Sequence, residues 1–321
     1  MEAMKLDTSP TLTRHFYEIA GLQLELRADP TVDIEALLPS FSGFRKKDTD
    51  DGIPIAIVTF MEREEMPEED NMGILRSDIS PVWGNNFRFY ERENSYVTQI
   101  NHHVGDRQWM MESTHDFRES VVYGDAGDPR MGESLSWLLM VVFGQAGLKY
   151  QRILIHASVI AYREDRGVAF LGKSGTGKST HSRLWLQHIP ETALLNDDNP
   201  AIWIDDDGKV FIYGTPWSGK TPCYKNKKVE LKAFVRLEQA PHNKFTRKED
   251  MHSLIAVLPS CTAIRWNKPL FNAMTDTLSR IVGKVMVGYL ECLPDAQAAY
   301  MSSEAVFGRK DDDTRRTVNG T

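Results

Sequence analysis

The chain has 321 residues, 41% hydrophobic and 26% charged, and a formal net charge of −7. That length suggests about two domains, and the composition is that of a globular protein rather than a disordered or fibrous one. The charge is uneven: residues 1–133 carry 26 acidic and 13 basic side chains and the remainder 19 and 25, balances of −13 and +6. Neither half has the long basic run, or the basic residues interleaved with aromatics, that marks a nucleic-acid binder. "MEAMKLDTSP" lacks the basic-then-apolar pattern of a leader. The longest apolar run, "WLLMVVF" from Trp137 to Phe143, is far short of the ~20 residues that span a bilayer. Cys223, Cys261 and Cys292 form neither a disulfide framework nor a zinc pattern. The expected compartment is the reducing cytoplasm, with no membrane partner.

In chain order, "HFYEIAGLQLELR", "IPIAIVTF", "FRFYERENSYVTQI" and "RQWMMES" alternate, or are rich in β-branched and aromatic residues, which predicts strands. Between them "RKKDTDDG" and "EREEMPEEDNMG" read as solvated loops. A mostly β domain over 1–130 is expected to end in the turn-rich "GDAGDPRMGE", followed by a mostly buried helix, "ESLSWLLMVVFGQAGL". A second domain over 131–307 opens with two β-type runs, "RILIHASVIAY" and "VAFLGKSG", separated only by "REDRG". So short a link suits a hairpin, since a parallel pair needs a crossover of about a dozen residues. With the turn centred on Asp165, paired numbers sum to about 330, which puts His156 opposite Ser174. The residues "DDDG" (Asp205–Gly208) between "AIWI" and "KVFIY" signal a further hairpin. "VELKAFVRLEQA" is a predicted strand. Leu270, Met274, Leu278, Ile281 and Val285 make the core stripe of a helix, and "VMVGYLECLPD" is a late strand. The tail 308–321 has a disordered composition.

Chemistry concentrates in the second domain. Residues 172–180, "GKSGTGKST", fit the phosphate-loop template G-x-x-x-x-G-K-[ST] without a mismatch. In such a loop Gly172, Ser174, Gly175, Thr176 and Gly177 present backbone N–H groups to phosphate oxygens. Lys178 neutralises the outer phosphates, Ser179 can ligate magnesium, and Thr180 opens a helix whose positive end faces the anion. Downstream, "LLNDD" ends in Asp197 and Asp198. Phosphoryl transfer needs a metal partner, often with a carboxylate to accept the attacking hydroxyl's proton, and adjacent aspartates can divide those jobs. The alternative is a solvated cap before Pro200. His156, inferred to lie beside the loop, can bond a phosphate or poise an aspartate, or it can be an ordinary structural histidine. "GTPWSGKTP" (Gly214–Pro222) reads either as a shaped substrate loop, with Trp217 as a stacking face and Lys220 as a mobile cation, or as a tight turn over a buried tryptophan. Arg236 is a further candidate cation.

The order "IHASVI … FLGKSGTGKST … LLNDD" resembles the catalytic domain of the HPr kinase/phosphorylase family, which shares its core with the phosphoenolpyruvate carboxykinases. The resemblance covers residues 150–300. It implies an α/β fold in which a mostly β N-terminal domain precedes a carboxykinase-like P-loop kinase domain with a mixed sheet. It also implies ATP or another phosphoryl donor, Mg2+, and transfer to a hydroxyl, of serine type, on a protein, a peptide or a small molecule. Carried over by position, His156 matches the family's active-site histidine, Lys178 and Ser179 bind phosphate and magnesium, Asp197 activates the hydroxyl, and Asp198 supports the site or the metal. The family's downstream arginine-glycine signature has no counterpart, and "GTPWSGKTP" stands in its part of the chain. A non-catalytic nucleotide-binding module, a carboxykinase-type enzyme and homo-oligomerisation stay open.

Overall fold

The computed structural model describes residues 12–46, 52–63, 66, 72–78, 86–101, 108–219 and 221–308. The tail beyond Gly308 lies outside them. The protein is mixed α/β with strands predominating, and it divides into two compact units, Met1–Ala146 and Gly147–Thr321.

Among the described residues the first unit is a nine-stranded sheet: β1 (Thr13–Ile19), β2 (Leu22–Ala28), β3 (Arg45–Lys46), β4 (Ala56–Glu62), β5 (Ile74–Ser77), β6 (Phe87–Glu91), β7 (Ser95–Asn101), β8 (Gln108–Thr114) and β9 (Glu119–Gly124). Their spatial order is β3-β1-β2-β4-β9-β8-β7-β6-β5. β4 is parallel to both neighbours, and the other pairs are antiparallel. The first predicted run is itself a hairpin, β1 and β2 turning at Ala20 and Gly21, both at positive φ. A short helix, α1 (Ile34–Leu37), follows β2. Helix α2 (Met131–Ala146) buries Leu135, Leu138, Leu139, Val142 and Phe143 and packs on β4, β8 and β9. This corrects the expected boundary near residue 130. An apolar helix must cover its surface, and this one does so on the first sheet, so the cut falls after Ala146.

The second unit holds β10 (Arg152–Leu154), β11 (Ala157–Tyr162), β12 (Arg166–Leu171), β13 (Thr192–Asp198), β14 (Ala201–Ile204), β15 (Val210–Tyr213), β16 (Lys228–Gln239), β17 (Lys244–Lys248) and β18 (Met286–Cys292). Its helices are α3 (Lys178–His188), α4 (Asp250–Val257), α5 (Lys268–Val282) and α6 (Ala296–Phe307). The sheet runs β10-β14-β15-β16-β12-β11-β13. The long β16 pairs with β15 early and with β18 late, and β17 adds to β18. β16 is parallel to β12 and β18, whereas β11 is antiparallel to both β12 and β13, so this sheet is mixed.

The expected β11–β12 hairpin is present, with a register summing to 328 rather than 330: Ala157 faces Leu171 and Tyr162 faces Arg166. The turn centres on Glu164, with Arg163 and Glu164 both at positive φ. The run "RILIHASVIAY" is not one strand. It breaks at Ile155 and His156, where Ile155 bridges to Cys261 and His156 N donates to Ser260 O at 2.8 Å. The β14–β15 hairpin matches expectation, with Gly208 at φ +79. Leu270, Met274, Leu278 and Ile281 of the predicted stripe are buried on α5, and Val285, also buried, lies beyond the helix, which ends at Val282.

The core under the phosphate loop is a single cluster. Ile160, Val168, Phe170, Val235 and Leu237 pack against Trp185 of α3 and Ala299 of α6. Strand side chains alternate faces, so α3 and α6 cover the side carrying Val235 and Leu237. Arg236 points the other way and donates to Ala256 O of α4 at 2.8 Å.

Candidate active site

The loop between β12 and α3 owes its shape to its glycines. Gly177, at φ +99, is the N-cap of α3, a left-handed conformation that side chains resist. At Gly172 a Cβ would collide with the Thr176 hydroxyl. That hydroxyl donates to Lys173 O at 2.7 Å, and Thr176 N donates to the same oxygen at 3.2 Å. Lys178 is buried and its ammonium donates to Gly172 O at 3.0 Å and Lys173 O at 3.4 Å, so it spans the inside of the loop. Ser174, Gly175 and Ser179 are exposed, with Thr176, Gly177 and Thr180 half-buried. The start of α3 has no side-chain cap and no acidic residue in its first turn. Its first N–H groups and its positive dipole end are therefore left for an anion.

Strand pairing carries the carboxylates to the same place. β13 is separated from β12 by β11, and one row across the three strands reads Asp198–Ala157–Leu171. The chain leaves β12 at Leu171 to form the loop, so both aspartates and His156 gather at the loop's end of the sheet. The chain after α3 thus returns one strand away from β12, with β11 between them.

Asp197 is 7% exposed, and its Oδ1 is buried with no hydrogen-bond partner among the described residues. Asp198 is half-exposed. Its Oδ2 accepts from Asn199 Nδ2 at 2.8 Å, and its Oδ1 lies 3.4 Å from His156 Nε2. Burial pushes the Asp198 carboxyl above its ordinary range; Lys178 opposes this and the Asp197 charge adds to it. Burial lowers the Lys178 ammonium, against the two aspartates and with Arg236 assisting. His156 is lowered by burial and by the neighbouring Lys178 charge, which favours its neutral ring. Lys178, Asp197, Asp198, His156 and Arg236 thus form one electrostatic cluster.

The segment after β15 closes one side of that cluster. Ser218 bridges to Asp198, and Gly219 N donates to Asp197 O at 3.2 Å. Trp217 is 5% exposed, so its ring is a core side chain and not an open stacking face. Lys220 lies outside the described residues. The residue that organises this segment is Asn196, to which the sequence reading gave no role although it stands in "LLNDD". Fully buried, it donates to Thr215 O, Thr215 Oγ1 and Trp217 O at 3.1 to 3.3 Å and accepts from Asp198 N at 3.0 Å. Its place beside two aspartates was visible, but its partners, some 20 positions downstream, were not. Gln239 was also missed; its Nε2 donates to Gly175 O at 3.2 Å.

Among the described residues no three His, Cys, Asp or Glu side chains converge as a metal cluster. Magnesium does not require one, because it keeps several waters and binds through one or two carboxylates plus substrate phosphates. The half-exposed Asp198 carboxylate and the exposed Ser179 hydroxyl fit that demand. No helix of the described residues is long and apolar enough to cross a membrane. No protein-family model and no curated protein matches the chain.

Proposed function

We propose that the chain is a magnesium- and ATP-dependent kinase that moves a phosphoryl group onto a hydroxyl, of serine type, in the manner of the HPr kinase family it resembles. The observation that carries this reading is the row Asp198–Ala157–Leu171, which brings a phosphate loop, its lysine, two carboxylates and a neutral histidine to one end of one sheet. The mixed sheet around β12 accords with the carboxykinase-like P-loop domain that the resemblance implies.

The residues divide the work as follows. The loop amides and Lys178 hold the donor's outer phosphates and offset the charge that develops on them. Asp197, whose Oδ1 has no partner among the described residues, accepts the acceptor hydroxyl's hydrogen bond and then its proton. The hydroxyl oxygen forms a bond to the terminal phosphorus as the bridging P–O bond breaks, and the diphosphate leaves with that electron pair. Ser179 and Asp198 would hold magnesium, which when bound neutralises charge on the phosphate oxygens. His156, neutral and 3.4 Å from Asp198, orients that carboxylate. Catalysis on this account is mostly positioning and charge neutralisation.

One observation favours a second reading, a nucleotide-binding module without chemistry: Asp197 is nearly covered by the 214–219 segment. Labelled transfer tests the kinase. With γ-labelled ATP, magnesium and extract of the source cells, wild type is expected to label a macromolecular or small-molecule acceptor. Lys178→Ala should lower the rate by about 100-fold or more, the range of losing an electrostatic donor. Unchanged transfer by Lys178→Ala would refute the assignment.

A further inference from the structure

Arg236 is left over when the charges of the site are matched. Half-buried on β16, it donates to Ala256 O at 2.8 Å, and no carboxylate of the described residues pairs with it. Its charge lies close enough to Lys178 to oppose that ammonium. A partly buried guanidinium beside a like charge costs free energy unless an anion pairs with it. The bond to a carbonyl near the end of α4 satisfies one N–H and leaves the charge unbalanced.

Strand pairing tells which anion belongs there. The row Asp198–Ala157–Leu171 continues to Arg236, which stands opposite Leu171 on β16. Residues of one row share a face, and this one is the α4 face, because Val235 and Leu237 point to α3 and α6. The loop and the start of α3 anchor the donor's phosphates from the other face. One stretch of backbone fixes both Arg236 and His156: Ala256 O accepts from the guanidinium, and Ser260 O accepts from His156 N at 2.8 Å. His156 in turn lies 3.4 Å from Asp198 Oδ1. Arg236 and Asp198 therefore flank the end of β12 on the face away from the donor, which is the acceptor's side. A phosphate carries more charge than one guanidinium offsets, and it would share the row with Asp198. A carboxylate has one charge and the planar shape that a guanidinium fork matches.

We propose that the hydroxyl acceptor carries a carboxylate that Arg236 holds, so that the substrate is a small hydroxy acid or a serine at the C-terminus of a chain. This rests on the phosphoryl-transfer reading above and names its substrate class. The hydroxyl oxygen bonds to the terminal phosphorus as the bridging P–O bond breaks, Asp197 takes the hydroxyl proton, and the carboxylate stays ionised throughout. A serine inside a chain has an amide in place of that carboxylate and would leave Arg236 unbalanced.

Transfer from γ-labelled ATP with magnesium tests it, with the small-molecule, peptide and protein fractions of source-cell extract as acceptor pools. The small-molecule and peptide pools are run as prepared, after methyl esterification of their carboxylates, and after saponification of the esters. Wild type should lose at least about tenfold in labelling on esterification and regain it on saponification. Label in the small-molecule pool identifies a free hydroxy acid, and label in the peptide pool a terminal serine. Arg236→Gln should raise the apparent KM for the untreated acceptor by about 10–100-fold, the range of a lost charged hydrogen bond, and leave the KM for ATP within about twofold. On the esterified pool it should match wild type, because the partner charge is already gone, whereas a purely structural role would lower transfer there as well. Arg236→Lys should restore part of the acceptor affinity. The esterification arm needs no variant, so a misfolded Arg236→Gln leaves the test intact. Labelling indifferent to esterification, label confined to serines inside protein chains, or an ATP KM that rises with the acceptor's would overturn the carboxylate assignment and leave the kinase standing. No transfer by wild type to any pool, or wild-type transfer by Lys178→Ala, would overturn the phosphoryl-transfer reading and this assignment with it.

Discussion

Two histidines of the second unit have lowered pKa values for different reasons. His156 owes its neutrality to burial and to Lys178, so its ring belongs to the charged cluster beside the loop. His181 is lowered by burial alone. Its Nε2 lies 3.0 Å from Ser302 Oγ, which also accepts the Trp185 indole N–H at 2.9 Å, and these contacts join α3 to α6. Because the folded pKa of His181, about 4, lies below its unfolded value of 6.5, the unfolded chain binds the extra proton first as pH falls. Its contribution to stability is complete above pH 6.5 and is lost between 6.5 and about 4. At about 1.4 kcal/mol per pH unit, that amounts to roughly 3 kcal/mol. Urea titrations at pH 7 and pH 4.5 should show a larger loss for wild type than for His181→Gln, and parallel losses would contradict the account. Asn196 supports a second prediction at this scale. Asn196→Leu removes the bonds that its amide donates to the Thr215 and Trp217 carbonyls and the one it accepts from the Asp198 amide, a cost of about 1–3 kcal/mol for buried polar groups. The expected result is a fall in kcat for transfer with nearly unchanged ATP affinity, because the segment it holds lies on the aspartate side of the loop. Equal loss of both would instead indicate a purely structural role.

At the scale of elements, what could be read from the sequence was what a local pattern encodes. The phosphate loop, the β11–β12 and β14–β15 hairpins and the α5 stripe all carry turn residues or a period within one short window. The prediction that belongs to α5 is direct: Leu278, fully buried, should cost about 2–5 kcal/mol when cut to alanine, read as a lowered urea midpoint. A change below about 0.5 kcal/mol, the size of an ordinary surface substitution, would contradict its place in the core. The break at His156 was hidden because "RILIHASVIAY" contains no glycine or proline to mark one; the pairing of Ile155 and His156 with the 260–261 segment interrupts it. The two-residue error in hairpin register came from centring the turn on Asp165, when Arg163 and Glu164 take the positive-φ positions. β5, β9, β17, α1, α4 and α6 went unread, and Arg45–Lys46, expected within a solvated loop, form β3. For α6 a signal existed: Asp295 caps it, accepting from Ala298 N at 2.9 Å. Trp217 sits in a segment that glycines and prolines mark only as irregular, and its direction depends on Asn196, a contact between distant positions.

Across the whole chain, the charge asymmetry agrees with the proposal that the chemistry lies in the second unit, which carries the loop, the aspartates and the cations assigned to them. The expected division near residue 130 rested on turn-rich composition. The observed one follows instead from where an apolar helix finds cover, which composition does not record. The central claim is chemistry at the Asp197 end of the phosphate loop, and binding and transfer measured on one preparation of Asp197→Asn address it most directly. A kinase of the kind proposed should bind magnesium-ATP within about threefold of wild type, because the loop is untouched, while transfer falls by about 100-fold or more with loss of the base. Wild-type transfer by Asp197→Asn would contradict the account. So would a wild-type protein that binds nucleotide and transfers nothing to any acceptor fraction, the behaviour of a nucleotide-binding module.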